Sequence, residues 1–132
     1  MMFKKAFKAV EEMGYKPEKK NDQLFGFEFE GYYFGIATML DDSEYLRVFT
    51  SLEFDNKDCN KTDILWKMVK IGRMHPYVKC WSNEGRFILY YNREVLPENN
   101  VKECILRSIL HIQAAIDDAQ DAIDEMEAGY DS

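Results

Sequence analysis

Cysteine, proline and histidine are scarce in this sequence: three, three and two among 132 residues. Cys59, Cys80 and Cys104 are odd in number and widely spaced, with no C-x-x-C pair, so reduced thiols are expected rather than a disulfide framework. His75 and His111 have no Cys or Glu at the spacing of H-E-x-x-H or C-x-x-C, so no zinc site is expected. The seven glycines all stand alone, and no phosphate loop, dinucleotide fingerprint or nucleophile elbow occurs. Long apolar runs are missing too. The longest, residues 32–40, contains Gly35 and Thr38, and a membrane helix needs about 20 apolar residues. Lys4, Lys5, Lys8, Glu11 and Glu12 interrupt the first 20 residues, which leaves no apolar core for a secretory signal. The expected location is cytoplasmic, with no membrane partner. A surplus of base is also lacking: the formal net charge is −7. Nucleic acid needs a basic footprint, so it is not an expected partner. The Lys-rich first 20 residues read as a solvated helix face.

What is present is enough for a core. Leu, Ile, Val and Phe make up a quarter of the chain, too much for a disordered segment. The acidity is local. Residues 1–116 hold all 17 Lys and Arg and balance them with acids, while Asp117, Asp118, Asp121, Asp124, Glu125, Glu127 and Asp131 lie among the last 16 residues without a base. A chain of this length is expected to form a single domain, 1–132, in which 117–132 is the acidic end of the last helix and a short tail.

Phe3, Phe7 and Val10 recur at helical spacing, which predicts a helix over 2–13 stopped by Gly14. Its lysines sit near the positive end of the helix dipole, so the Phe face must carry the element. Residues 16–22 contain Pro17 and no apolar run and read as loop. Phe25, Phe27 and Phe29 alternate with Gly26, Glu28 and Glu30, a period of two that predicts a strand. Gly31 turns the chain into a second strand, 32–40. A polar turn at 41–44 leads to a third, 45–54, with Leu46, Val48, Thr50, Leu52 and Phe54 on one face. After a loop over 55–61, Asn60 or Thr62 caps a helix whose face is Ile64, Leu65, Met68 and Ile71, and His75-Pro76 ends it. Residues 77–82 and 86–92 form a hairpin around Asn83-Glu84-Gly85. Asn100 with Glu103 then opens a long helix, 101–127, in the manner of a capping box. The fold class is α+β: α-β-β-β-α-β-β-α, a five-stranded antiparallel sheet packed by helices, with a long C-terminal helix.

The stretch ILWKMVKIGRMHPYVKCWSNEGRFILYYNREVLPENNVKECILRSIL joins a short helix, a V-K-C-W strand, an N-E-G-R turn, an F-I-L-Y-Y strand and a helix after a polar link. With the element order, it resembles the YbjN-type domain family, within the type III secretion chaperone-like (Tir chaperone-like) superfamily. Profilin- and roadblock-like folds usually place two strands before the central helix and three after; here the count is three and two. The resemblance implies a helix-packed antiparallel sheet, frequent dimers and roles in protein binding. It implies no catalytic residue.

Two features are candidates for function. If Phe25, Phe27, Phe29, Phe34, Ile36, Leu46, Val48, Val78, Cys80, Phe87 and Leu89 face inward, the opposite sheet face carries Tyr33, Met39, Tyr45, Phe49, Trp81, Ile88 and Tyr90. A wet face should alternate to polar residues. This one is either covered by its own chain or is an interaction surface, where Trp and Tyr combine area with a polar handle. The second feature is the last helix. Ile105, Ile109, Ile112, Ile116, Ala119, Ile123 and Met126 are spaced 4, 3, 4, 3, 4, 3. That seam docks on the sheet or, in its distal part Ile116, Ile123 and Met126, meets a second copy as a homodimer. Other groups are weaker. Glu28 and Glu30 share the alternation and would suit acid–base work in a cleft. Asp117, Asp121 and Asp124 line one helix face, but a straight helix cannot wrap a hard cation. The expected function is a non-enzymatic protein-binding or chaperone-like module with no cofactor and a protein partner. The alternatives are a small-ligand sensor with an aromatic-lined pocket and an enzyme unrecognised by motif, built on Glu28, Glu30 or His75.

Overall fold

A computed structural model describes residues 2–39, 44–55 and 59–128. Leu40, positions 41–43 of the expected turn, the middle of the 55–61 loop and the tail beyond Ala128 lie outside the described residues. The chain divides into two compact units, Met1–Thr50 with Tyr91–Leu110, and Ser51–Tyr90 with His111–Ser132.

In the first unit, helix α1 (Met2–Glu12) buries Met2, Ala6, Ala9 and Val10 and packs on β3. Phe3 and Phe7 stay half-buried and set their rings against Phe25, with centroids 5.4 and 5.2 Å away. The Phe face therefore does offset the poorly placed lysines. Gly14 ends the helix at φ 94, a left-handed position that lets Tyr15 N–H donate to Val10 and Gly14 N–H donate to Glu11. That pair of bonds satisfies carbonyls the last turn leaves open. Tyr15 then lands on Phe27 and Phe29.

The strands follow as β1 (Glu18–Lys19), β2 (Leu24–Phe29), β3 (Tyr32–Thr38) and β4 (Tyr45–Glu53). β1 is the element that periodicity does not show. Two exposed residues cannot display a period, yet they pair antiparallel with Phe25 and Gly26. Among the described residues the sheet thus has six strands rather than five, in the order β1-β2-β3-β4-β6-β5. β2 and β3 join through Glu30-Gly31, both at positive φ (48° and 87°), the geometry of a two-residue hairpin turn. In β4, Leu46, Val48, Thr50, Leu52 and, just past its end, Phe54 are all buried, as the alternation requires. Thr50 Oγ1 donates to the Tyr33 carbonyl at 2.8 Å, which satisfies a buried hydroxyl.

In the second unit, Asn60 caps α2 (Lys61–Met74), its side chain accepting from Thr62 N–H and Asp63 N–H. Asn60→Ala should cost about 1 kcal/mol in a urea melt; an unchanged midpoint would show that the cap contributes nothing. β5 (Lys79–Ser82) and β6 (Arg86–Glu94) form the expected hairpin, closed by reciprocal backbone bonds between Asn83 and Arg86. α2 packs on β5.

Helix α3 (Val101–Ala128) passes through both units, and its 28 residues span about 42 Å. Asn100 accepts from Glu103 N–H at 3.1 Å, the cap expected there. Every residue of the isoleucine seam is buried: Ile105 and Ile109 in the first unit, and Ile112, Ile116, Ala119, Ile123 and Met126 in the second. The three residues expected to meet a second copy, Ile116, Ile123 and Met126, spend their surface inside the chain. Intramolecular packing accounts for the seam without a second copy.

Candidate protein-binding surface

The inner strand face is assembled as the alternation requires. Phe25, Phe27, Phe29, Phe34, Ile36, Leu46 and Val48 are buried in the first unit, and Val78, Phe87 and Leu89 in the second, where Cys80 is half-buried. Outward-facing residues therefore decide what each unit offers a partner.

In the first unit, Gly26 and Gly35 are directly paired across β2 and β3. Both point outward, so their missing side chains leave a trough. Two aromatic rings lie in it: Tyr33 over Gly26 and Phe49 over Gly35, each so close that a methyl group there would collide with the ring. Aromatics that cover strand glycines in this way protect backbone that would otherwise be bare. Phe49 and Tyr45 are half-buried as a result or nearby, whereas Tyr33 and Met39 remain exposed. Lys20 sits with its ammonium 5.6 Å from the Tyr33 ring centre. A hydrogen bond with Tyr33, and then one with Glu18, raises its pKa above the usual lysine value. Arg47 donates from Nε to Asn92 Oδ1 at 2.6 Å on the same side. This face was expected to be covered by its own chain or to be an interaction surface; Tyr33 and Phe49 cover the strand glycines, and Tyr33 and Met39 stay exposed.

Glu28 is exposed on this face, but Glu30 does not share it. Strand β2 ends at Phe29, and Glu30 is the first residue of the turn. The expected pairing of these two carboxylates on one strand face therefore does not form.

The second unit is barer. On the outward side of the β5–β6 hairpin, Trp81 lies opposite Ile88 and Lys79 opposite Tyr90. Ile88 and Tyr90 are half-buried, while Trp81 is 57% exposed. The chain's other tryptophan, Trp66 on α2, is 67% exposed. It stands with Leu65 and Val69, also exposed. Leu65 was expected on the buried face; Ile64 and Ile71 hold that face, and Leu65 is rotated about 100° from Ile64 on a 3.6-residue helix. Between α2 and the hairpin runs a groove of about 390 Å³, lined among others by Met68, Val69, Gly72, Val78, Cys80 and Tyr90. Trp66 is the residue a face-by-face count passes over. Its signal was its position two residues from Ile64, off the core stripe, among Lys67, Lys70 and Arg73.

Desolvation at the groove wall pushes the Cys80 thiol up to about 12. An acid with a raised pKa stays protonated, so Cys80 should resist iodoacetamide near pH 8 and react once the chain is unfolded. The raised value also ties stability to pH. The folded chain holds this proton more tightly, so the contribution is intact below the thiol's ordinary value and is lost as pH rises toward 12. Rapid alkylation of Cys80 in the folded chain, followed by mass spectrometry, would contradict this.

Among the described residues, His75 belongs to no cluster of metal-ligating side chains. Its Nε2 meets Asp118 Oδ2 at 2.6 Å. Lys67 pairs with Glu125, which Lys67 holds below the usual carboxylate range. The two pairs fasten α2 antiparallel alongside the acidic part of α3, and the His111 ring adds a contact with Tyr77 at 5.0 Å. Cys59 and Cys104 are buried thiols. Among the described residues, no helix is long and apolar enough to cross a membrane.

The sequence matches no family model and no curated protein. The structure does have counterparts. An uncharacterized protein from Methanothermobacter thermautotrophicus superposes with a TM-score of 0.71 at 11% identity, over 95% of this chain and 98% of that one. YbjN from E. coli gives 0.63 at 9% identity, over 96% and 92%. The Yersinia pestis type III secretion chaperone SycH, crystallised in complex with a stable fragment of YscM2, gives 0.55 at 11% identity, over 92% and 99%. The chain has the YbjN-type, secretion-chaperone-like fold. At these identities the likeness speaks for the fold alone.

Proposed function

We propose that the chain is a non-enzymatic, chaperone-like module that binds a protein partner in the cytoplasm. Its contact surface in the second unit is the outward hairpin face, Trp81 with Ile88 and Tyr90. In the first unit it is the exposed rim of the aromatic face, Tyr33 and Met39 beside Tyr45 and Phe49. One observation carries this reading: both tryptophans of the chain stand more than half exposed, in the same unit. Tryptophan is highly buried on average, and burying apolar surface returns roughly 25 cal/mol per Å². Exposed tryptophans are the anchors that protein interfaces favour. A secretion chaperone with this fold, SycH, was crystallised with a protein fragment bound, which supports the same kind of partner here. An odd number of widely spaced cysteines fits a reducing compartment.

The test is affinity purification from the source cell, with the wild-type chain and Trp81→Asp compared by quantitative mass spectrometry. A protein recovered with wild type should fall by about tenfold or more with the variant, as expected for an interface hot spot. Equal recovery with both chains, or no specific protein with wild type, would contradict the reading.

A further inference from the structure

We propose that the outward face of α2 is a second contact point, which docks an acidic, amphipathic segment of the protein partner. The proposal rests on the protein-binding reading and names the chemistry of what binds. Leu65, Trp66 and Val69 are 56%, 67% and 48% exposed on this helix. Trp66, Val69, Lys70 and Arg73 fall at i, i+3, i+4 and i+7, one stripe of a helix surface. A shallow depression of about 280 Å³ lies along it, lined by Asp63, Trp66, Lys67, Val69, Lys70 and Arg73.

The charge of this face runs against that of the chain. The whole sequence carries −7, yet α2 has four bases and one acid, Asp63, which sits in its first turn. Lys67 is engaged by Glu125. Lys61, Lys70 and Arg73 make no ion pair among the described residues, although Lys70 adds a longer-range attraction to Glu125. Lys70 and Arg73 beside an exposed indole, with two exposed aliphatic side chains, fit a segment that brings apolar residues and carboxylates together. Oppositely charged surfaces steer encounter and fix register, while the aromatic anchor supplies affinity.

Two other occupants fit less well. A second copy has an acidic region in its last helix, but Ile116, Ile123 and Met126 there are buried in their own chain. That region offers carboxylates without the apolar surface that Leu65, Trp66 and Val69 would meet. A nucleic acid would bring evenly spaced phosphates toward Asp118, Asp121 and Glu125, which line the adjoining cleft with Lys67 and Lys70. A polyphosphate backbone would be repelled there.

The probe is a synthetic helical peptide with leucines on one face and glutamates on the other, labelled and titrated with the full chain by fluorescence anisotropy. Saturable binding is expected, about tenfold or more weaker for Trp66→Ala and for Arg73→Glu, and weakened by salt. Both substituted side chains are exposed, so both variants should keep the wild-type circular dichroism. The same peptide with glutamines for glutamates should bind about tenfold more weakly. Equal binding of the glutamine peptide, or no effect of either variant, overturns the proposal. So does tight binding of a single-stranded oligonucleotide that Trp66→Ala abolishes, which would assign the face to nucleic acid. Self-association removed by Trp66→Ala overturns it in favour of a second copy. If these tests fail while Trp81-dependent capture persists, docking on α2 is wrong and the protein-binding reading stands.

Discussion

Ile112→Asp should leave the chain without a cooperative unfolding transition at room temperature. Ile112 is fully buried on α3, and the residues that share its stripe, Ala115, Ile116 and Ala119, are buried and apolar. The polar side chain one turn before it, Ser108, is buried and already donates its hydroxyl to the Cys104 carbonyl. A buried, unpaired carboxylate costs several kcal/mol even after it shifts its pKa. Total stabilities are about 5–15 kcal/mol, and losses above about 4–5 kcal/mol mark a broken core. Ile112→Val is the control, expected to cost about 0.5–1.5 kcal/mol and to keep a sharp transition. Urea melts followed by circular dichroism separate the two. A wild-type-like melt for Ile112→Asp would mean that the seam is not packed inside the chain.

Phe27→Ala tests the first unit in the same way, with an expected loss of about 3–5 kcal/mol. Phe27 is 1% exposed. It stands in a run of rings, with Phe25 at 6.5 Å, Phe34 at 6.4 Å and Tyr15 at 5.9 Å between centroids. Truncation removes both the buried area and its ring contacts, each worth about 0.5–1.5 kcal/mol beyond area. A loss under about 1 kcal/mol would mean that the two faces of β2 are inverted.

The alternation of Phe25, Phe27 and Phe29 set the strand face because a period of two leaves one solution once a core exists. Asn100, Asn60 and Gly14 marked helix ends because each satisfies backbone groups that a helix leaves open. β1 was not legible: a two-residue edge strand is defined by what it pairs with, not by its own pattern. Glu30 was misplaced because alternation was continued one residue past the strand, into the turn. The isoleucine seam was legible as apolar, but a seam looks the same in sequence whether it meets its own chain or another.

The aromatic face shows the limit most clearly. Parity placed Tyr33 and Phe49 outward, and they are outward. Parity could not show that Gly26 and Gly35 become partners, because that depends on the register of two strands. With the register known, the two rings lie over the two glycines and the face partly closes. The exposed surface of α2 was missed for a related reason. Grouping Leu65 with Ile64 as core hid the fact that Leu65, Trp66 and Val69 stand together on the other side.

The central claim is that the exposed tryptophan surface of the second unit holds a protein. Its most direct measurement is site-specific photo-cross-linking in the source cell, with a photoreactive amino acid at position 81, at position 66, or at the exposed control Lys102 on α3. The account expects a discrete protein adduct from position 81, with any adduct at 66 carrying the same partner, and none from the control. Adducts equal at all three positions, or none at 81, would contradict it.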